Sequence, residues 1–382
     1  MPQRIAPGLA HPAGEVVFPV DPAVPLIVDA VGRRLRVEWD PQAPVTPLGQ
    51  LVFFSQFLAT AGLFGPWVKA CPLRYTSPNA PALTDLLGTV LLAMLSGQGR
   101  YAHVTALRGD RGNPAGLGMS QVCSADSVRR AFQDEAPEPL AHWQRAHLLH
   151  SVTPALEHPW ILDIDVTVKP IYGRQQGAAV GYNPTQRGRP SHTYHTYFMA
   201  GLRLALDVEM HGGKAPGAAH GLPGLWRLVD RLPAGQRPYL VRGDCQYGQE
   251  RLLAECEGRP QGCLFRLRQT PGVKELLRWL ETQGQWQPVG QGWQAKEDRW
   301  WLSGWSQERR VVVLRRAKAP SAPAADVPLL PRPEPLLTQD PDCEYLILVT
   351  NLTWDAVARA DGYRQRADSE NNYDQLKNQW GW

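Results

Sequence analysis

The chain has 382 residues, too many for one ordinary core, so two or three domains are expected. A hydrophobic fraction of 43% and 14 Trp exclude a disordered chain. The net charge of +4 does not by itself mark a nucleic-acid binder, but Arg259–Lys318 concentrates 12 Lys and Arg against 5 Asp and Glu, the footprint of a local basic surface or of solvated faces.

Residues 1–45 read as a Pro- and Gly-rich extension without the apolar h-region of a signal peptide. Within it VPLIVDA and RLRVEW form a candidate strand pair around Gly32. Residues 46–155 turn helical in period and read as an all-helical, DNA-binding domain. LGQLVFFSQFLATAGLF, the Leu83–Leu95 run and SADSVRRAFQDEA are its helices, the last with Ser124 as N-cap. Arg129 and Arg130 suit phosphate contact or a solvated face. The most apolar helix, near Leu83–Gly97, is shorter than a bilayer span and carries Asp85, so no membrane span is expected. Cys71, Cys123, Cys245, Cys256, Cys263 and Cys343 show no CxxC and no Cys/His spacing, which argues against structural zinc and for reduced thiols in a cytoplasmic protein.

The texture changes near residue 156. HPWILDIDVTVKPIYG, SHTYHTYFMA and LRLALDVEM read as strands, LPGLWRLVDRL as a helix, YLVRGDCQYG as a strand, QERLLAECEG as a helix and GCLFRLRQ as a strand. This order is that of an RNase H-like domain, a mixed sheet with helices on both faces, and it assigns 156–268 to an α+β / α/β catalytic core. Residues 269–342 hold Trp279, Trp286, Trp293, Trp300, Trp301 and Trp305 and a proline-rich loop, and read as a β-rich insertion. EYLILVTNLTW in 343–382 gives the core its final strand, followed by one terminal helix.

That helix carries an unusual face. At 100° per residue Tyr363, Arg366, Glu370 and Lys377 fall within a stripe roughly 60° wide, where a packing helix places apolar groups. Asp165 lies inside the first strand of the core, with Asp163 on the same strand face, and Asp244 ends the fourth strand. Half-buried acids on strands cost stability unless something positive binds them. Asp165, Asp244 and Glu370 together would supply the oxygen donors that Mg²⁺ or Mn²⁺ prefers. Two such ions activate a water or a 3′-hydroxyl against a phosphodiester.

YRQRADSENNYDQLK, with Tyr363, Arg366, Glu370 and Lys377, resembles the Y-x2-R-x3-E-x6-K signature of the IS4-type DDE transposases. DVT at Asp165–Thr167 is similar to that family's first-aspartate motif, and LVRGDCQYG to the strand bearing its second aspartate. LDIDVTVKPIYG, GAAVGYNP, GRPSH and SENNYDQLKNQWGW look most like the IS1380 branch, as do RYAHVTALRGD and SADSVRRAF. The resemblance covers roughly residues 80–382. It implies a DNA transposase that cleaves the ends of an insertion sequence and joins them to target DNA. Asp165, Asp244 and Glu370 would hold two Mg²⁺ or Mn²⁺ ions, and Tyr363, Arg366 and Lys377 would hold double-stranded DNA in a homodimeric synaptic complex. The D-x-T match selects Asp165 over Asp163.

Tyr345, Trp300 and Trp301 are candidates for stacking on a flipped base or for core packing, and His192 and His195 for the site or for hydrogen-bonded strand positions. The chain stops five residues after Lys377, where members of this group continue. A second reading is therefore a truncated, non-catalytic protein that binds element ends or inhibits a full-length transposase.

Overall fold

The computed structural model of the chain describes residues 25–38, 49–318 and 342–378, apart from positions 76, 111, 134, 158, 184–185 and 216. The proline-rich start of the N-terminal extension and most of the proline-rich loop, residues 319–341, lie outside the described residues. The chain divides into two units, 1–135 and 136–382.

In the first unit β1 (Leu26–Asp29) and β2 (Arg34–Val37) form the expected antiparallel hairpin. Helices α1 (Leu51–Thr60), α2 (Phe64–Lys69), α3 (Leu83–Leu95), α4 (Gly112–Gly116) and α5 (Ala125–Gln133) follow. Their core gathers Leu58, Phe64, Leu92, Val104, Leu107, Leu117 and Met119. Ser124 caps α5 as its sequence demands, its Oγ accepting from Ser127 N at 3.0 Å. The buried Asp85 on α3 accepts from Ser120 N at 2.7 Å and Ser120 Oγ at 2.5 Å, so a polar group inside an apolar helix is satisfied. Gly32 meets Gly118 so closely that a Cβ on Gly32 would lie 2.1 Å from Gly118 Cα.

The second unit opens with α6 (Pro137–Val152). Sequence reading joined this helix to the preceding domain, but Leu148, Leu149 and Val152 pack on the core of the sheet, and Arg145 pairs with Asp207 at 2.9 Å. The remaining elements are β3 (Ile161–Pro170), β4 (Ala179–Val180), β5 (Pro190–Met199), β6 (Leu204–Gly212), α7 (Gly217–Arg231), β7 (Leu240–Gly243), α8 (Glu250–Glu257), β8 (Gly262–Arg266), α9 (Pro271–Thr282), β9 (Gln287–Pro288), β10 (Trp293–Trp300), β11 (Arg309–Ala317), β12 (Cys343–Thr350), α10 (Ala356–Arg364) and α11 (Ala367–Asn378). Among the described residues one mixed sheet holds the ten strands of this unit in the order β4-β5-β3-β7-β8-β12-β11-β10-β9, with β6 also on β5. The antiparallel set β6-β5-β3 is followed by β7 and β8, both parallel in turn to β3, and each of these crossovers runs through a helix. The strands between Trp293 and Ala317 continue this sheet through β12 and form no separate body.

Alternation divides the two faces. Leu162, Ile164, Tyr197, Val241, Phe265, Ile347 and Val349 face α7, α8 and α9 in the larger core. Leu240, Leu264, Leu348, Val312 and Leu314 face α10 in the smaller one.

Beneath α7 lies a cluster of polar side chains on the same sheet face as the larger core. His195 on β5 is 1% exposed, and neither of its ring nitrogens has a partner among the described residues. A Cβ at Gly221 of α7 would stand 2.8 Å from His195 Nδ1, so the helix can pass only with glycine there. His211 edges onto His195 at 5.1 Å, and Glu209 nearby accepts from Tyr197 at 3.2 Å and pairs with Arg145 and Arg227. Burial, with His211 and His220 adding, lowers His195 to about 4. Its neutral form is therefore required, and the stability it contributes is intact above pH 6.5 and lost as pH falls toward 4. Urea unfolding at pH 7 and at pH 4.5 is expected to differ by roughly 2–3 kcal/mol from this group, a difference missing in His195→Gln.

Candidate active site

The site begins with a register. β3 and β7 run parallel, pairing Ile161 to Ile164 with Leu240 to Gly243, and the next residues in line are Asp165 and Asp244. Neighbouring strands lie about 4.8 Å apart, so the two aspartates stand side by side where β7 ends and β3 continues. Asp244 Oδ1 accepts from Gln246 N at 2.9 Å, an Asx turn that carries the chain out of the strand. Asp163, one repeat before Asp165, is 1% exposed and spent on Arg242: Nη2 meets Oδ2 at 2.9 Å and Nε meets Oδ1. Arg242 also donates through Nη1 to the Gly362 carbonyl, tying the sheet to α10.

The terminal helix is two helices. Asp355 caps α10, accepting from Ala358 N at 2.7 Å, and the chain tightens at its end, where Arg366 N bonds Tyr363 O at 3.0 Å. This turn separates Tyr363 on α10 from Glu370 and Lys377 on α11, so the continuous stripe expected from 100° spacing does not exist. The turn instead delivers Arg366, 6% exposed, to the sheet, where Nη2 meets Asp165 Oδ2 at 2.6 Å. α11 then crosses β5, with Tyr373 edge-on to Phe198 at 5.8 Å and its hydroxyl on Thr196. Thr196 is the register partner of Asp165 and donates to its carbonyl at 3.3 Å. Glu370 sits on α11 between Arg366 and Tyr373, the two residues that reach the strands of the site; its side chain and that of Lys377 lie outside the described residues.

The electrostatics follow from burial. Burial raises the Asp165 carboxyl to about 6; Arg366 pulls it down and Asp244 pushes it further up. Burial opposes the charge of Arg366, but Asp165, Tyr363, Asp244 and Asp163 outweigh it and hold the guanidinium above its usual value. Desolvation likewise lifts the buried Tyr363 phenol to about 12, so it stays protonated at neutral pH. Two neighbouring carboxylates, one of them disfavoured as an anion, are oxygen donors that a divalent cation would relieve, and their chemistry fits Mg²⁺ or Mn²⁺. Among the described residues they form a pair and not a cluster of three.

Other sequence candidates lie elsewhere. Tyr345 belongs to the opposite sheet face, where its hydroxyl donates to Glu281 at 2.8 Å within the larger core. Trp300 packs against that core, and Trp301 is 60% exposed. His192 shares the face of Asp165 through its pairing with Lys169, whereas His195 is on the other face. Arg129 and Arg130 both pair with Asp126 at 3.2 Å. Four arginines of the basic segment are paired: Arg259 meets Asp230 at 2.7 Å, Arg309 meets Glu257 at 2.6 Å, Arg315 meets Glu281 at 2.8 Å and Arg316 meets Glu344 at 2.5 Å. Among the described residues Arg266, Arg268, Lys274 and Arg278 keep no carboxylate partner. Sequence reading missed Arg266, which is exposed on the site face of β8 and acts electrostatically on Tyr363. It missed Arg242 too, although an arginine between Val241 and Gly243 in an apolar strand is itself a signal that a buried carboxylate waits nearby.

No helix of the described residues is long and apolar enough to cross a membrane. A family model described as Transposase DDE domain group 1 matches residues 72–382. No curated protein matches the chain. Among solved structures the chain is similar to a piggyBac transposase in a cryo-EM synaptic complex with hairpin DNA, at 13% identity and a TM-score of 0.43. That match covers 86% of this chain and 66% of the other, so the chain spans less than two thirds of that protein's length.

Proposed function

The chain belongs to the transposase DDE domain group 1 family, and from that membership we propose a DNA transposase of the IS4 type and the IS1380 branch. It cleaves the ends of an insertion sequence and joins them to target DNA, acting in the cytoplasm on the nucleoid as a homodimer that brings two ends together. The observation that carries this reading is the placement of Asp165 beside Asp244 at adjacent strand positions, with Arg366 bonded to Asp165. The strand order β6-β5-β3-β7-β8, with helices in the parallel crossovers, supports an RNase H-like core.

Asp165, Asp244 and Glu370 are the proposed ligands of two Mg²⁺ or Mn²⁺ ions, which when bound supply Lewis acidity to the attacking and leaving oxygens of the phosphodiester. Arg366 fixes Asp165 by a charge-assisted bond, and its Nε, buried and without a partner among the described residues, is left to donate to a phosphate oxygen. Tyr363, protonated at neutral pH, serves as a hydrogen-bond donor to DNA and not as a phenolate nucleophile. Lys377 adds a point charge for the same strand.

The test is incubation of the chain with a supercoiled plasmid bearing the two element ends, with Mg²⁺ or Mn²⁺, beside Glu370→Gln. Nicks or breaks at the ends that vanish in the variant are expected. Binding without cleavage would overturn the catalytic reading in favour of a DNA-binding regulator. Because Asp165 must shed its proton to hold a cation, cleavage is also expected to fall as pH drops through about 6. A rate unchanged from pH 7 to pH 5 would contradict that assignment.

A further inference from the structure

From Val166 to Leu206 the sequence contains no Asp or Glu, yet it carries Lys169, Arg174, Arg187, Arg189 and Arg203. The connection between β3 and β5, residues 171–189, holds three of these arginines together with Tyr172 and Tyr182, which are 74% and 69% exposed. Exposed tyrosines of that degree contribute nothing to a core, and among the described residues no carboxylate pairs with Arg174, Arg187 or Arg189.

The connection is built, not loose. Ile171 is buried and its N–H bonds Pro190 O at 2.9 Å; β4 pairs with β5; the buried Asn183 accepts from Gln186 N at 3.0 Å. Tyr172 is held on two sides. Its hydroxyl accepts from Gln186 Nε2 at 2.7 Å, and the Arg189 guanidinium lies over its ring, 4.4 Å from the centroid. An aromatic ring fixed in place with a face still open to solvent is organised for stacking at little entropic cost.

Its position suits the same site. Asp165, Thr167 and Lys169 alternate onto one face of β3, and five residues of strand carry the chain about 17 Å from Asp165 to Pro170, where the connection begins. We propose that the described residues of this connection, 171–183 and 186–189, form a binding surface for single-stranded DNA beside the cut, its phosphates on Arg174, Arg187 and Arg189 and a base stacked on Tyr172. The inference rests on the DNA transposase reading. A paired base hides its faces inside the duplex, so an open tyrosine face selects a strand that has been released from pairing.

The experiment is fluorescence anisotropy of the full chain with an oligothymidylate and with a duplex of equal length, across a salt series. Replacing Arg174, Arg187 and Arg189 together by Gln is expected to weaken single-strand binding at least about tenfold and to reduce its salt slope by about 2. Tyr172→Ala is expected to weaken single-strand binding about 5- to 100-fold while changing duplex binding less than about twofold. Tyr172→Phe, which keeps the ring, is expected to stay within about twofold of the parent on both. Unchanged affinity and slope in the arginine variant, or equal losses on both DNAs for Tyr172→Ala, would overturn this surface while leaving the transposase reading intact. Failure of the parent chain to bind either DNA would overturn both.

Discussion

Asp244→Asn is expected to slow DNA strand cleavage by about 10³-fold, equivalent to about 4 kcal/mol of barrier, without unfolding the chain. The side-chain oxygen of Asn can still accept from Gln246 N, so the turn after β7 survives the change. Only the charge is lost, and with it the anionic ligand proposed for the cation. Removing one of two adjacent carboxylates also eases the burial of Asp165, which now titrates near 6. The urea midpoint is therefore expected to hold or rise while activity collapses. Single-turnover cleavage and urea unfolding on the same preparation separate the two effects, and a variant that still cuts at the parent rate would remove Asp244 from the reaction.

The largest loss of stability is expected from Arg242→Ala, at about 3–5 kcal/mol. Truncation takes from Asp163, 1% exposed between sheet and helix, the guanidinium that meets both its oxygens, and deprives the Gly362 carbonyl of its donor. The double variant Asp163→Leu with Arg242→Met is expected to recover most of that loss, because a buried ion pair replaced by apolar groups of similar size costs little. Denaturant unfolding of the two singles and the double gives the coupling directly. A loss below about 1 kcal/mol in Arg242→Ala would mean that Arg242 is not what sustains the buried Asp163 charge.

The contrast between Asp163 and Asp165 shows where sequence reading stops. Both aspartates alternate onto one face of β3, and in the sequence only the D-x-T match of Asp165 separates them. The distinction is made by β7, whose register sets Arg242 opposite Asp163 and Asp244 next in line to Asp165. The strands themselves were legible, because β3, β5 and β6 and the crossovers through α7 and α8 are dense in apolar residues of the right period. The stripe on the terminal helix misled for a physical reason. Angular arithmetic assumes an unbroken helix, whereas the burial of Arg366 against Asp165 goes with a tight turn between α10 and α11. The basic segment misled differently. Arg259, Arg309 and Arg316 pair with Asp230, Glu257 and Glu344, which lie outside Arg259–Lys318, so the surplus within that stretch overstates the free charge.

Strands β11 and β12 meet with Ala317 opposite Cys343, and Lys318 N donates to Asp342 O at 2.7 Å. The two ends of segment 319–341 are thus clasped by the sheet itself. Once the ends of a connection are fixed, doubling its length adds only about 0.6 kcal/mol of closure entropy. The sheet is therefore nearly indifferent to how many residues join these strands, and the clasp is a port through which an epitope tag, a fluorophore or a whole guest domain can be carried without redesigning the body that holds it.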